Sequence, residues 1–239
     1  MVRELPPEIK QIFVVEDDTL LLKAIEKLLA DEGFDVKTAV SGEEALRFVK
    51  RHGLPHLMVV DLNLPKMDGF EFVRTVQQFS DVPAIMVTAV DEVATIATGL
   101  NDCLEDYIVK PFRSSELLSR INRVLRRVDN FGYINDPIIF IDIDLQIDLP
   151  NRTAYLDEKA VSLSPTETKL LHILMNHAER TVSYDFLLRR IWPREKAVEE
   201  RLHTNVYRLR KKLEQNPKQP KYIRSNWGMG YMFCWGNSG

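Results

Sequence analysis

The sequence predicts an α/β domain built on a doubly wound parallel sheet, followed by an α+β domain. Up to Arg127, short apolar segments alternate five times with amphipathic segments, the pattern of a parallel sheet with helices on both faces. After Arg127 the pattern changes to short alternating strands and then to three helices. A length of 239 residues allows one large or two small domains, and the change of pattern favours two.

Five strands and five helices are predicted in the first domain, residues 1–127. Three strands are almost continuously apolar, as strands buried on both faces of a sheet are. The predicted strands are Ile12–Val15, Val36–Ala39, Leu57–Val60, Ala84–Val87 and Tyr107–Val109. The predicted helices are Leu20–Ala30, the segment from Ser41 to Gly53, Phe70–Phe79, Asp91–Leu100 and Ser115–Arg127. In such folds ligands bind at the carboxyl ends of the strands, so the residues that follow strands are the site candidates.

The second domain is predicted over residues 137–239, after a polar linker at 128–136. Ser164 begins its first helix, with proline and glutamate in the first turn, a strong helix-start signal. The other predicted elements are alternating strands within Ile138–Ile147, turns at Pro150-Asn151 and Asp157–Lys159, helices Tyr184–Trp192 and Glu199–Leu213, and a C-terminal hairpin with its turn at Trp227–Gly230.

Composition predicts a soluble globular protein of the cytoplasm. Hydrophobic residues make up 45% and charged residues 28%, which is ordinary for a folded domain. Apolar runs stay below the roughly 18 residues that span a membrane, and Met1–Lys10 lacks the apolar core of a signal peptide. The two cysteines, Cys103 and Cys234, match no metal-binding spacing and favour a reducing compartment.

Charge is distributed unevenly along the chain. Residues 1–127 carry 16 basic and 21 acidic residues, and residues 128–187 carry 4 and 10. Residues 188–239 carry 12 basic and 4 acidic residues, a net charge of +8. This segment therefore suits a polyanionic partner, although charge alone fits a solvated helix face equally well.

Polar side chains gather where the strands of the first domain end. Glu16, Asp17 and Asp18 follow the first strand, Asp61 the third and Lys110 the fifth, and Thr88 ends the fourth. A parallel sheet brings these ends together, and carboxylates crowded there need a hard cation, for which Mg²⁺ is suited. A carboxylate in such a site can attack a phosphoryl donor and form an acyl phosphate, with lysine and Mg²⁺ offsetting the charge. The alternative is that these acids are solvated caps and turns.

These residues form motifs that resemble the CheY-like receiver domain of two-component systems, a flavodoxin-like fold. The resemblance covers residues 9–127 and rests on VVEDD at 14–18, DLNLPKMDG at 61–69, VTA at 87–89 and DYIVKPF at 106–112. It implies phosphorylation of Asp61 by a sensor histidine kinase, with Lys110 sensing the phosphate and a cis peptide before Pro111. It also implies a Mg²⁺ site at Asp17, Asp61 and the Asn63 carbonyl, with Glu16 acting through water, and a switch pair of Thr88 and Tyr107. For Asp18 we expect helix capping rather than metal binding.

Receiver domains also form dimers, and the resemblance implies one here on phosphorylation. The chain departs from the family pattern by carrying Thr95-Ile96 in the fourth helix and Cys103-Leu104 before the fifth strand. Acidic and basic residues for intersubunit ion pairs nevertheless remain, and the predicted interface residues are Glu105, Asp106, Arg120 and Arg123.

The predicted helix Glu199–Leu213 separates an apolar stripe from a polar, basic face. The stripe consists of Leu202, Val206, Leu209 and Leu213. Thr204 and Lys211 point away from it, Tyr207 and Arg208 flank them, and Arg201, His203 and Asn205 lie at its borders. Polar tips in the first half and cations in the second suit a helix in a DNA major groove, with Arg208 as the candidate guanine contact. An exposed, soluble helix is the alternative.

The second domain resembles the winged-helix effector of OmpR/PhoB response regulators. The resemblance covers residues 136–235 and rests on LSPTE at 163–167, VYRLRKKLE at 206–214 and GMGY at 228–231. It implies binding of double-stranded DNA by the third helix, Arg210 included, and by the hairpin wing. Relatives often carry arginine, which enters the minor groove, at the wing position that Trp227 occupies. Trp227 and Arg224 are the predicted DNA contacts of the wing, with Arg224 as the candidate for the arginine's role. A wing that binds DNA more weakly is the alternative. The loop Pro193–Val198 matches one that contacts RNA polymerase in some relatives.

Three functions follow from these features. The first is a transcription factor controlled by phosphorylation at Asp61 and not an enzyme in its own right. The second is a Mg²⁺-dependent phosphatase with Asp61 as nucleophile, against which stands Asn63 where a second catalytic acid belongs. The third is an orphan regulator that binds DNA independently of phosphorylation. The complete acidic site favours the first.

Overall fold

Five strands in the first part of the chain form one parallel sheet in the order β2-β1-β3-β4-β5. The computed structural model describes residues 9–89, 104–128, 138–157, 159–193 and 196–235. The strands are β1 Gln11–Val15, β2 Asp35–Ala39, β3 Leu57–Asp61, β4 Ala84–Thr88 and β5 Asp106–Val109. This order is that of the flavodoxin-like fold, which confirms the predicted class. Contacts group the chain into two compact units, one mainly before and one mainly after Val128.

Helices cover both faces of this sheet. They are α1 Thr19–Asp31, α2 Gly42–His52, α3 Gly69–Gln77 and α4 Ser114–Val128. On one face the aliphatic residues of β1, β3, β4 and β5 pack with those of α1 and α4 in one buried cluster. On the other face Phe13 of β1 lies edge-on to Phe72 of α3, 6.4 Å between ring centres. The predicted helix Asp91–Leu100, residues 129–136 of the predicted linker, and residues Thr95, Ile96 and Cys103 lie outside the described residues.

The second unit begins with an antiparallel sheet of β6 Ile139–Phe140, β7 Leu145–Asp148, β8 Thr153–Leu156 and β9 Lys159–Ser162. Three helices follow: α5 Pro165–Asn176, α6 Tyr184–Ile191 and α7 Glu199–Leu213. The start of α5 is as predicted, because Ser164 and Glu167 form a reciprocal capping box. Within the described ranges, no helix combines the length and apolar content needed to cross a bilayer.

A three-stranded sheet closes the second unit. Its strands are β10 Val182–Ser183, β11 Ile223–Asn226 and β12 Gly230–Phe233, in the order β10-β12-β11. The hairpin of β11 and β12 is the predicted wing. The pairing with β10 was not predicted, because a two-residue strand shows no periodicity. Gly230 permits this pairing, since a Cβ there would lie 1.8 Å from the Val182 carbonyl oxygen.

Candidate acidic site and nucleic-acid surface

Three carboxylates meet at the carboxyl edge of the parallel sheet. Glu16 and Asp17 follow β1, and Asp61 is the last residue of β3, the strand paired with β1. One oxygen from each lies within 4.8 Å of the others. Glu16 and Asp61 are buried and Asp17 is exposed, so the cluster opens to solvent on the Asp17 side. Asp18, the fourth acid of this region, caps α1 by accepting from the N–H groups of Leu20 and Leu21, as predicted.

Lys110 reaches this cluster from the end of β5. Its ammonium donates to Glu16 Oε2 at 2.8 Å and to Asp61 Oδ2 at 2.7 Å. Its backbone N–H donates to the Thr88 carbonyl at 2.7 Å, and the peptide bond to Pro111 is cis, as predicted. The ammonium therefore bridges two buried carboxylates that come from different strands.

Burial and crowding perturb the protonation of both partners. Burial raises the pKa of Glu16 to about 7, and the neighbouring Asp61 adds to the rise against the opposing effect of Lys110. Burial opposes the charged form of Lys110 too, but hydrogen bonds to Asp61 and Glu16 outweigh it and raise the lysine pKa. One ammonium thus offsets only part of the negative charge at this edge.

The donor set fits a hard divalent cation. All three candidate ligands are carboxylates, and oxygen donors of this kind suit Mg²⁺. Asn63, the fourth predicted ligand residue, lies at the same place because its backbone N–H donates to Asp61 Oδ1 at 3.2 Å. The predicted ligand residues therefore lie together at the carboxyl edge of the sheet.

The position of Asp61 depends on a close backbone approach that sequence reasoning did not identify. Gly69 donates its N–H to the Leu62 carbonyl at 3.0 Å, which closes the loop after β3. A Cβ at Gly69 would lie 2.0 Å from the Asp61 carbonyl oxygen, so only glycine fits. The available signal was the glycine that ends the DLNLPKMDG motif.

Thr88 and Tyr107 lie on the neighbouring strands β4 and β5. Thr88 is completely buried, and its hydroxyl donates to the Ala89 carbonyl at 3.3 Å. Tyr107 pairs with Met86 across the two strands, and its side chain is 39% exposed. The pair thus consists of a buried hydroxyl at the end of β4 and a partly solvated ring on β5.

Three of the four predicted interface residues form ion pairs with one another within the same chain. Asp106 accepts from Arg120 at 2.7 Å and also from Arg123, and Arg120 pairs with Glu116 at 2.8 Å. Glu105, the fourth, donates its backbone N–H to the Ala84 carbonyl. These charges form a network between β5 and α4.

Helix α7 has the predicted two-sided character. The buried residues are Leu202, Val206, Leu209 and Leu213, the predicted stripe. Tyr207 and Arg208 are exposed, and the Lys211 ammonium lies 4.8 Å from the centre of the Tyr207 ring. The Thr204 and Asn205 side chains each donate to a carbonyl one turn earlier, at 2.8 Å. Arg201 and His203 contact aromatic neighbours, Trp192 and Tyr231 respectively.

Arg210 fastens α7 to the wing. Its guanidinium donates to the Ile223 carbonyl at 2.8 Å and to Ser225 Oγ at 2.9 Å, both on β11. Glu214, just after α7, accepts from the N–H groups of Lys221, Tyr222 and Ile223 at 2.7 to 3.0 Å. Sequence reasoning did not predict the Glu214 contacts. The only signal in the sequence was an acidic residue at a position expected to be buried.

The wing presents a basic groove and an exposed aromatic ring. A groove of about 450 Å³ is lined by Arg210, Lys218, Gln219, Pro220, Arg224, Ser225 and Trp227. Three of these residues are cations, and Arg224 is exposed. The predicted contact residues Arg224 and Trp227 therefore share one surface beside α7.

Comparison with known proteins identifies both units. A family model described as "Response regulator receiver domain" matches residues 12–122, and one described as "Transcriptional regulatory protein, C terminal" matches residues 158–233. The "probable transcriptional regulator ycf27" of Porphyridium aerugineum is 38% identical over 231 residues, 94% of this chain and 95% of that protein. The chain belongs to the OmpR/PhoB-type response regulators.

Two further proteins match over nearly the same length. The "probable transcriptional regulator ycf27" of Galdieria sulphuraria is 35% identical over 94% of this chain and 90% of its own length. The crystal structure of the response regulator DrrB, an OmpR/PhoB homologue of Thermotoga maritima, is 30% identical with a TM-score of 0.45, covering 95% of this chain and all of that one. The two family models and the ycf27 relatives confirm the receiver and effector resemblances drawn from the sequence.

Proposed function

We propose that this response regulator is phosphorylated on Asp61 by a sensor histidine kinase in the cytoplasm, and that phosphorylation controls its dimerisation and its binding to double-stranded DNA. We assign the receiver to residues 1–127, the linker to 128–136 and the effector to 137–239. The chain is a regulator whose only chemistry is the gain and loss of this phosphoryl group.

The contact that carries the proposal is the Lys110 bridge between Glu16 and Asp61. The ammonium is 2.7 Å from Asp61 Oδ2, in position to offset charge on oxygens transferred to that carboxylate. Glu16 and Asp17 place two further acids beside it, which favours cation binding over a solvated helix cap.

In the transfer step, an Asp61 carboxylate oxygen attacks the phosphorus of the phosphohistidine donor. The new oxygen–phosphorus bond forms as the phosphorus–nitrogen bond breaks, and the imidazole nitrogen leaves with the bonding electron pair and takes up a proton. Asp17, Asp61 and the Asn63 carbonyl, with Glu16 through water, would hold a Mg²⁺ ion, which would supply positive charge to the phosphoryl oxygens. Lys110 holds the product phosphate by an ion pair.

The switch would use the two residues on β4 and β5. A phosphoryl group adds about −1.5 to −2 charges and strong acceptor oxygens, which attract the Thr88 hydroxyl. Displacement of the buried Thr88 side chain frees space for the partly exposed Tyr107 ring to turn inward. The β5–α4 surface carrying Glu105, Asp106, Arg120 and Arg123 is the face we expect to pair in the dimer.

DNA binding is assigned to α7 and the wing. The net charge of +8 over residues 188–239 favours a polyanion, and Arg208, exposed on α7, is the proposed guanine contact. Thr204, Asn205, Tyr207, Lys211, Arg201 and His203 complete the proposed helix surface. The loop at 193–198 is the proposed RNA polymerase contact, and it lies partly outside the described residues.

Intact-protein mass spectrometry tests the phosphoacceptor. The full-length chain is incubated with an acyl-phosphate donor, with and without Mg²⁺, alongside Asp61→Asn and the control Asp18→Asn. We expect one phosphoryl group on the wild type and on Asp18→Asn, because asparagine caps a helix as well as aspartate. Gain of the phosphoryl group by Asp61→Asn, or full labelling of the wild type without Mg²⁺, contradicts the proposal.

A further inference from the structure

The tip of the wing exposes one large aromatic ring. Trp227 is 90% exposed, and Met229, two residues later, is 58% exposed. Exposed apolar surface on this scale carries a free-energy cost in water, and patches of it usually mark contact sites. Contact with a binding partner explains this exposure of Trp227 better than packing within the domain does.

Hydrogen bonds fix the backbone on both sides of this ring. Met229 donates its N–H to the Asn226 carbonyl at 3.0 Å and accepts from the Tyr184 N–H at 3.3 Å. The Asn226 side chain donates to Thr181 Oγ1 at 3.1 Å. The Arg210 guanidinium also holds β11, the strand before the turn, through its hydrogen bonds to Ile223 and Ser225. The ring is therefore presented by a turn that is already ordered, which lowers the entropy lost when it binds.

Cations share a groove with the ring. Arg210, Lys218 and Arg224 line the groove that Trp227 also lines. A flat ring beside positive charges complements a partner that combines stacked flat rings with phosphates. Double-stranded DNA has this combination, and apolar side chains can enter it from the minor groove.

We propose that Trp227 inserts its ring at a base step from the minor groove, partly unstacking the step and bending the duplex. The inference rests on the proposed DNA-binding function and adds a deformation-dependent contact to it. Apolar wedges of this kind kink DNA toward the major groove, and their sequence preference follows from how easily a step unstacks. Arg224 would contact the phosphates beside the inserted ring.

Insertion and phosphate contact differ in their response to salt. A neutral indole releases no counterion, so the loss of Trp227 lowers affinity at every salt concentration equally. The loss of a cation that contacts a phosphate lowers the slope of log affinity against log salt by about one. Base–aromatic stacking corresponds to roughly a ten- to hundred-fold change in affinity.

The test uses the full-length protein, treated with an acyl-phosphate donor and Mg²⁺, and a duplex that the wild type enriches from a random-sequence library. The variants are Trp227→Ala, Trp227→Phe and Arg224→Ala. Ile143→Ala serves as the matched control, because Ile143 is also apolar and 97% exposed but lies in the β6–β7 connection. For the wild type and each variant, we measure the DNA affinity at several salt concentrations. The end-to-end distance of the duplex is measured by fluorescence energy transfer.

We expect Trp227→Ala to bind about ten- to hundred-fold more weakly with an unchanged salt slope and to leave the duplex straighter. Trp227→Phe should retain most of the bend, Arg224→Ala should lower the slope by about one, and Ile143→Ala should match the wild type. Wild-type binding and bending by Trp227→Ala, or a fall of its salt slope, overturns the insertion. If the wild type enriches no duplex, the DNA-binding function itself is wrong and the insertion falls with it.

Discussion

The Lys110 ammonium lies 2.7 Å from Asp61 Oδ2, although the two residues are 49 positions apart in the chain. The contact exists because β5 and β3 end at the same edge of the parallel sheet. It places a cation beside the carboxylate that we propose as phosphoacceptor.

Lys110→Ala should separate phosphoryl transfer from metal binding. Without the ammonium, the transferring oxygens lose a stabilising charge, and we expect the phosphorylation rate of Asp61 to fall about 10²- to 10³-fold. The affinity for Mg²⁺ should stay the same or rise, because a competing cation has been removed from Glu16 and Asp61. Rates are followed by intact mass, and Mg²⁺ affinity by calorimetry. The control is Lys37→Ala, which breaks a partly exposed pair with Asp35. An unchanged rate in Lys110→Ala contradicts the account.

Gly69→Ala should disturb the acceptor strand. The added Cβ would meet the Asp61 carbonyl oxygen, which is backbone and cannot yield without moving β3. We expect a loss of about 1–3 kcal/mol in the stability of the receiver, with faster hydrogen exchange at the β3 amides. Gly42→Ala is the control, because its Cβ would lie 3.0 to 3.1 Å from Met67 atoms, a much milder approach than 2.0 Å. Equal exchange rates in the two variants would show that the close approach is unimportant.

The strands and helices that position the site could be predicted because their patterns are local. The apolar run 57–60 predicts β3, and the structure extends it by one residue to Asp61. Helix α7 has the predicted bounds, Glu199–Leu213, since its stripe repeats at helical spacing. The site residues could be named because each follows a strand, and parallel strands end at one edge.

Contacts between distant polar groups could not be predicted. Glu214 accepts three backbone N–H groups and Arg210 donates to β11, yet both belong to a basic stretch that indicates only a charged helix end. Nothing local to these residues shows that a strand will pack beside them. The close approach of Gly69 to Asp61 was missed for the same reason, because it depends on the path of a whole loop.

Arg210→Met should weaken DNA binding without changing its salt slope. Its guanidinium is engaged with Ile223 and Ser225, so its effect on DNA would act through the position of the wing. Lys211→Met, the matched variant on the exposed face of α7, should lower the slope by about one if it removes a phosphate contact. Affinities over a range of salt concentrations distinguish the two. If the salt slope falls in Arg210→Met as much as in Lys211→Met, Arg210 contacts DNA directly and the prediction is wrong.

The stability of the effector should depend on pH through Glu167. Burial opposes its ionisation, but hydrogen bonds from Lys212 and from the Ser164 N–H outweigh burial and hold the pKa of the carboxyl below its ordinary value of 4.5. A lowered folded pKa gives stabilisation that is complete above pH 4.5 and is lost as the pH falls through the folded value.

Glu167→Gln should therefore be less stable than the wild type by about 2 kcal/mol at neutral pH, and the difference should shrink below pH 4.5. Urea unfolding followed by tryptophan emission measures it, since all three tryptophans, Trp192, Trp227 and Trp235, belong to the effector sequence. A difference that stays constant between pH 7 and pH 3 contradicts the role given to the carboxylate.

The most direct test of the central claim compares the DNA affinity of the full-length chain before and after treatment with an acyl-phosphate donor and Mg²⁺. The account predicts tighter binding and a dimer after treatment of the wild type, neither change in Asp61→Asn, and weaker binding in Arg208→Ala with relaxed choice of sequence. Equal affinity and equal mass in solution for treated and untreated wild type would contradict it and leave a regulator that binds DNA independently of phosphorylation.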